Sequence, residues 1–307
     1  MDRVSTSQIP AASLADLSKA QRGVVEAARQ SSAQTKSDDL KGYGRQAQTL
    51  ISAQRLASRT SGFISTGSEL TTRMNIQDVA LGRTADVVSK LKDDLFQNLS
   101  LESGEGVRAQ IQEAFSVIKD AMNTNLGGRY LFGGVLNDRP PVTAPDLTSL
   151  ANNPLSSAME TGAAPQTMRI EEGRTLNAGV VADNVVTQVM GCLQRLAQMD
   201  QGPNGPFAGK LTSIQKQSIT NELDQLGTAF NTVLSAQSEN GRLLKDVDSS
   251  STRQKSQLEV LNGAVGDIVN VDLAEVAVKL NQAQFAYQAS ASVFATLRGL
   301  NLLDALK

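Results

Sequence analysis

Two long tracts of this chain repeat apolar residues at alternating steps of three and four. In the first, Ala53, Leu56, Phe63, Leu70, Met74, Leu81, Val88, Leu91 and Leu95 share one register, with Thr60, Gly67, Gln77 and Thr84 between them. Nine apolar residues in thirteen seam positions predict a sustained heptad helix. Gly67 weakens it by ~1 kcal/mol relative to alanine. Run from residue 44 to 98, such a helix is about 80 Å long. A second helix is predicted after Glu105-Gly106, where Val107, Ile111, Ala114, Ile118 and Met122 form one stripe and Gly127-Gly128 stops it.

The C-terminal tract mirrors the first. Ile219, Leu223, Leu226, Phe230, Val233, Leu244, Val247, Leu258 and Leu261 share a register that Gln237, Asn240, Ser251 and Gln254 interrupt. A break is expected near Asn262-Gly263. After it comes a last stripe of Leu273, Val276, Leu280, Ala283, Tyr287, Phe294 and Leu297, with Ser290 as its polar exception. Segment 11–30 is weaker, with Leu14, Leu17, Val24 and Ala28 on one face.

Proline divides the chain. Apart from Pro10, all of its 8 prolines (Pro140, Pro141, Pro145, Pro154, Pro165, Pro203 and Pro206) fall between residues 140 and 206. Proline removes a helical hydrogen bond and clashes with the preceding turn. Two proline-free arms therefore read as helical and enclose a different kind of insert. Inside it, Thr167-Met168-Arg169-Ile170 and Thr175 to Val181 flank Glu171-Glu172-Gly173-Arg174, the pattern of a short hairpin. Helix is expected again from Asp183 through Val186, Val189, Met190, Leu193 and Leu196, ending before Gln201-Gly202-Pro203.

A helix with a narrow apolar stripe is marginal alone, because its seam stays wet. The partners of each arm lie in the other. The expected fold is mainly α: an elongated coiled-coil rod from paired N- and C-terminal helical arms, with a small β-rich insert projecting from the end away from the termini. The divisions expected are 1–42 and 263–307 for the two halves of an inner coiled coil, 43–134 and 183–262 for the two halves of a helical rod, and 135–182 for the insert. The rod core is assigned to Leu56, Phe63, Leu70, Met74, Leu81, Val88, Leu91 and Leu95 against Leu223, Leu226, Phe230 and Val233.

Segment 11–30 is too weakly apolar to cover the last stripe alone. Leu273, Val276, Leu280, Ala283, Tyr287, Phe294, Leu297, Leu300 and Leu303 are therefore expected to form a seam for other subunits or a chaperone, with Leu302 beside it. An ordinary intramolecular bundle is the plainer alternative. Heterologous head-to-tail contacts would instead give a ring or an open helical polymer.

Composition narrows the chemistry. The chain has 307 residues, no His, no Trp and 1 Cys. Ser-His and Cys-His catalysis and most zinc sites are thereby excluded, as are an internal disulfide and a CxxC site. Cys192, set among Val189, Met190, Gly191 and Leu193, reads as a buried hydrophobe with no cation beside it. With 29 Lys+Arg against 31 Asp+Glu there is no footprint for nucleic acid. No run approaches the ~18 apolar residues of a membrane span, and the polar start, Met1 to Ser7, gives no secretory signal. Aromatic content of 4% with abundant Ala and Leu suits long helices in narrow seams. The pairs Asp38-Asp39 and Asp93-Asp94 are read as solvated faces or caps, since adjacent helical residues diverge by about 100°. Gly127-Gly128 with Gly133-Gly134 lacks the Lys-Ser/Thr of a phosphate loop. Arg298 suits the negative end of the last helix, with pairing to a neighbour's Asp304 as the other option. No cofactor, metal or catalytic residue is expected.

Several motifs carry a likeness. They are Ser238-Glu239-Asn240-Gly241-Arg242-Leu243-Leu244 with Asp248 and Arg253, and Gly266 to Ala277 around Asn270-Val271-Asp272. Lys279 to Ser290, the close Gly299 to Leu306, Arg3-Val4-Ser5-Thr6, and Gly127 to Gly134 complete the set. In order and spacing they resemble the flagellin superfamily, and within it the hook–filament junction branch. The likeness spans both arms and not the insert. It departs at Gln34 to Asp39, where flagellins carry another stretch, and in the shortness of the insert. The resemblance implies an extracellular, non-enzymatic flagellar subunit, exported unfolded through the flagellar type III apparatus. Its implied partners are copies of itself, an adjacent hook-associated protein, flagellin and an export chaperone covering the C-terminal helix; nucleic acid and membrane are not among them. A filament flagellin is the nearest alternative, and a phage- or pilus-like coiled-coil adaptor a more distant one.

Overall fold

A computed structural model describes residues 8–304, and the side chains of residues 11–297. The chain is mainly α, as the spacing predicts. Its helices are α1 (Gln8–Ala33), α2 (Ala47–Ser100), α3 (Val107–Met122), α4 (Leu147–Asn152), α5 (Ala182–Gln201), α6 (Ser213–Val269) and α7 (Leu273–Asp304). Two 3-10 helices (Leu40–Gln46 and Leu155–Ser157) and two antiparallel hairpins accompany them: β1 (Asn125–Leu126) with β2 (Arg129–Tyr130), and β3 (Thr167–Glu171) with β4 (Arg174–Asn177). The chain divides into one compact unit of residues 60–256 and another of 1–59 with 257–307.

In the 60–256 unit, α2 and α6 run antiparallel. Asn240 Nδ2 donates to the Met74 carbonyl at 2.9 Å, and the Lys92 ammonium lies 5.9 Å from the centre of the Phe230 ring. Two shorter helices double back along this pair. Helix α3 is tied to α2 by Asn98–Gln110 at 2.7 Å and Lys90–Glu113 at 2.8 Å. Helix α5 is tied to α6 by Arg195–Glu222 at 2.7 Å and Thr232–Gln188 at 3.1 Å. The four-helix core encloses Leu81, Val88, Leu91 and Leu95 of α2, Ile111 and Ile118 of α3, Val189 and Leu193 of α5, and Ile219, Leu226 and Val233 of α6. At one end the two reversals of the chain brace each other, with Gly104 N–H donating to Gly209 O at 2.7 Å and Leu211 N–H to Glu102 O at 2.8 Å.

This arrangement changes where the insert sits. It does not extend from the end of the unit, which the 101–106 and 202–212 turns form. Because α3 and α5 return along the bundle, the insert lies against its flank. Gln77 Nε2 on α2 donates to the Leu131 carbonyl at 2.8 Å, and Gln194 Nε2 on α5 donates to Leu150 O at 2.8 Å. Besides the β3–β4 hairpin the insert holds α4, whose first turn Asp146 caps by accepting from Ser149 N–H at 2.7 Å. Gly127 and Gly128, both at positive φ, make the two-residue β1–β2 turn just after α3 ends. Gly179, at φ 104°, lies so close to the Gln77 amide that a Cβ there would stand 1.7 Å from Oε1.

Registers differ locally from those read in the sequence. Of the assigned rod core, Leu70, Met74, Leu81, Val88, Leu91, Leu95, Leu226 and Val233 are buried, while Phe63, Leu223 and Phe230 are half-buried. Leu56 is 39% exposed, because its neighbour Ala57 takes the inward position between Leu50 and Thr60. On α6 the fully inward positions next to Leu223, Phe230 and Leu244 are Glu222, Ala229 and Leu243. The expected break at Asn262-Gly263 is absent. Helix α6 continues to Val269, and the chain breaks at 270–272, where Asp272 Oδ1 accepts from Ala274 N–H at 2.8 Å and starts α7.

Candidate functional site

The unit formed by residues 1–59 and 257–307 carries the candidate site, a surface rather than a cleft. Helices α1 and α7 lie antiparallel in it. Their joint is a short backbone bridge in which Lys36 N–H donates to Val269 O at 2.8 Å and Val271 N–H to Gln34 O at 3.2 Å. Side chains reinforce it. Arg29 donates to Glu26, Asp38 and the Lys36 carbonyl, and Lys36 Nζ donates to Asp267 O at 2.9 Å. Asp39 accepts from Gly42 N–H at 3.1 Å, so both members of the Asp38-Asp39 pair serve local structure.

Away from the joint the seam is thin. Helix α1 turns Leu17, Ala20, Val24 and Ala27 inward, and only Ala27 is fully buried. Leu14 and Ala28, expected on that face, are exposed. Gly23 brings the backbones close, since a Cβ there would sit 3.6 Å from the Ala283 methyl. On α7, Val276 is buried and Leu280, Ala283, Phe294 and Leu297 are half-buried on the same register, so α1 already takes part of the seam expected to await other subunits. Leu273 and Tyr287 are exposed. The side chains of Leu300, Leu302, Leu303, Arg298 and Asp304 lie outside the described residues. Near its start α1 leaves a gap of about 200 Å³ lined by Ser13, Asp16, Ala289, Ser290 and Val293.

The opposite side of α7 also carries an apolar strip. Val278 (55% exposed) and Phe285 (74%) project away from the α1 seam, with Ala274 one turn before Val278, while Val293 (54%) lies at the edge of the gap beside α1. Around that strip the exposed surface is polar, with Lys279 paired to Glu275 at 2.7 Å and Asn281, Gln282, Gln284 and Gln288 turned outward. Reading α7 as a single stripe overlooked this second face. The seven-residue step from Val278 to Phe285 was the signal for it.

The rest of the described residues offer little chemistry. No group of three or more His, Cys, Asp or Glu side chains converges, and no helix is long and apolar enough to cross a membrane, among the described residues. Cys192 does have a cation beside it, contrary to the sequence reading: Arg195 Nη2 lies 3.5 Å from its sulfur. That guanidinium is committed to Glu222 through bonds of 2.7 and 2.8 Å. Burial first, and then the Glu222 charge, push the thiol up to about 12. It is no nucleophile.

The architecture defines a helical protein whose terminal helices present an uncovered apolar face. Residues 223–306 match the family model of the bacterial flagellin C-terminal helical region, which bears out the resemblance carried by the motifs in that span. Among solved structures, the fold is similar to that of a protein from Vibrio parahaemolyticus described as a flagellar hook-associated protein. The TM-score is 0.60 at 16% identity, covering 75% of this chain and 98% of that one. It is also similar to FlgL of Bacillus cereus, with TM-score 0.54 at 13% identity, covering 70% of this chain and 98% of that one. No curated protein matches the chain.

Proposed function

We propose that this chain is a structural subunit of the bacterial flagellum that joins hook to filament, assembling through its terminal helices and performing no catalysis. The observation that carries this reading is α7, whose seam toward α1 is only partly covered and whose other side exposes a second apolar strip at Val278 and Phe285. A face of that kind in a free subunit is covered by a neighbour, and a repeated heterologous contact closes a ring or extends a helix. The likeness to a hook-associated protein and to FlgL supports the junction position over other flagellar positions. In this reading the partners are further copies of the chain, an adjacent hook-associated protein and flagellin. An export chaperone shields α7 before assembly, and the chain reaches the cell exterior through the flagellar type III apparatus.

The match of residues 223–306 to flagellin itself favours one alternative, a filament subunit. Electron microscopy of the purified protein separates the two: a junction subunit stops at short oligomers, whereas a filament subunit elongates on seeds. Deletion of the gene tests the reading as a whole. The expected result is loss of motility with shed filaments and intact hooks; normal swimming with attached filaments would overturn it.

A further inference from the structure

The helices α3 and α5 cover only part of the α2–α6 pair. Helix α3 leaves α2 at Met122, and α5, which meets Thr232 of α6 at Gln188, begins only about two turns further on at Ala182. Beyond those ends a two-helix seam would be wet. The β3–β4 hairpin covers it instead. Ile170 and Ala178 are sealed against Leu70 and Met74 of α2 and Leu243 and Val247 of α6, in an apolar cluster separate from the main core.

The polar attachment of the hairpin to α6 converges on one carboxylate. Glu171 accepts from Ser250 Oγ at 2.6 Å and from Arg253 Nη2 at 2.7 Å, and Arg174 Nη1 stands 3.9 Å away. Charge-assisted bonds of this kind are the strong ones. Looser ties run from Arg174 to Asp246 at 3.8 Å and from the Arg169 guanidinium to the Phe63 ring on α2 at 5.9 Å. Gly173 turns the hairpin at one end and Gly179 releases it at the other, both at positive φ. An isolated two-stranded hairpin is marginal in water, so this one is ordered by its docking.

We propose that β3–β4 is a clasp with Glu171 as its catch, opening and shutting on the α2–α6 pair as one unit while the four-helix bundle stays intact. Opening bares Leu70, Met74, Leu243 and Val247, an apolar strip hidden in the shut form. Hydrogen exchange on the full-length protein tests this. In Glu171→Gln the amides of residues 167–178 are expected to exchange roughly tenfold faster, and in Glu171→Ala roughly a hundredfold faster, with α3 and α5 unchanged. Arg253→Met removes the cation that donates to Glu171 while leaving every residue of the hairpin itself in place, and is expected to reproduce the Gln result. Hairpin exchange unchanged in all three variants would overturn the proposal. So would a rise shared equally by α3 and α5, because the hairpin would then not be a separate unit.

Discussion

Phe285→Asp isolates the outer face of α7 from everything else in the molecule. Phe285 is 74% exposed and lies opposite the α1 seam. Its replacement therefore changes monomer stability by ~0.5 kcal/mol or less. Covered by a neighbour, the same ring contributes ~1.5–3 kcal/mol of burial, and a carboxylate forced into that contact costs ~2 kcal/mol more. About 4 kcal/mol per contact is roughly a thousandfold in association constant. Thermal melts by circular dichroism are expected to overlay those of the wild type. Sedimentation and negative-stain microscopy are expected to show only monomer at concentrations where the wild type assembles. Leu280→Asp is the control: Leu280 faces α1 in the half-buried seam, so that variant loosens the terminal pair in the monomer as well. Wild-type assembly by Phe285→Asp would refute the assignment of this face.

Three further outcomes are expected. Cys192, its thiol pushed up to about 12, is expected to resist alkylation in the native protein at mildly basic pH and to react on unfolding, as mass spectrometry would show. The Glu171 carboxyl is held below its ordinary 4.5 by the Ser250 hydroxyl and then by Arg253 and Arg174, with burial opposing them. Its contribution is present above that value and lost as pH falls through the depressed one, so hairpin protection is expected to hold above the ordinary value and to weaken as the pH is lowered below it; unchanged protection on acidification would count against the assignment. In limited trypsin digestion of free monomer, Lys19 and Arg22 in α1 and Lys279 in α7 are expected to be cut before sites in 60–256, since the α1–α7 seam has so few buried residues.

The helices and their inward faces were legible because 3-4 spacing reports directly on which side of a helix meets another. The errors have physical causes. The α6 register follows its leucines and aromatics and places Asn240 correctly inside, yet other inward positions hold Glu222, Ala229 and Ser250, residues a hydrophobic pattern passes over. Gly263 looked like a stop, but one helical glycine costs only ~1 kcal/mol and α6 absorbs it. The true break had its own signature in Asp272-Leu273-Ala274-Glu275, a helix start with an acid three residues after the cap. The flank position of the insert was not legible, because it follows from α3 and α5 doubling back, a matter of tertiary packing. Nor was Glu171 as a catch, since Ser250 and Arg253 are distant in sequence and meet it only when the hairpin docks.

The loop between the two hairpins leaves and returns through one doorway: Val135 N–H donates to Ala164 O at 3.1 Å, and Gly162 N–H to Gly133 O at 2.9 Å. Chain added at the exposed Asn152-Asn153-Pro154 corner therefore need not pry the helices apart, provided the Asn153 carbonyl keeps the bond it accepts from Gln194 Nε2 of α5 at 2.7 Å. Evolution, or an engineer, has a socket there for displaying a new outer module while leaving the bundle beneath untouched.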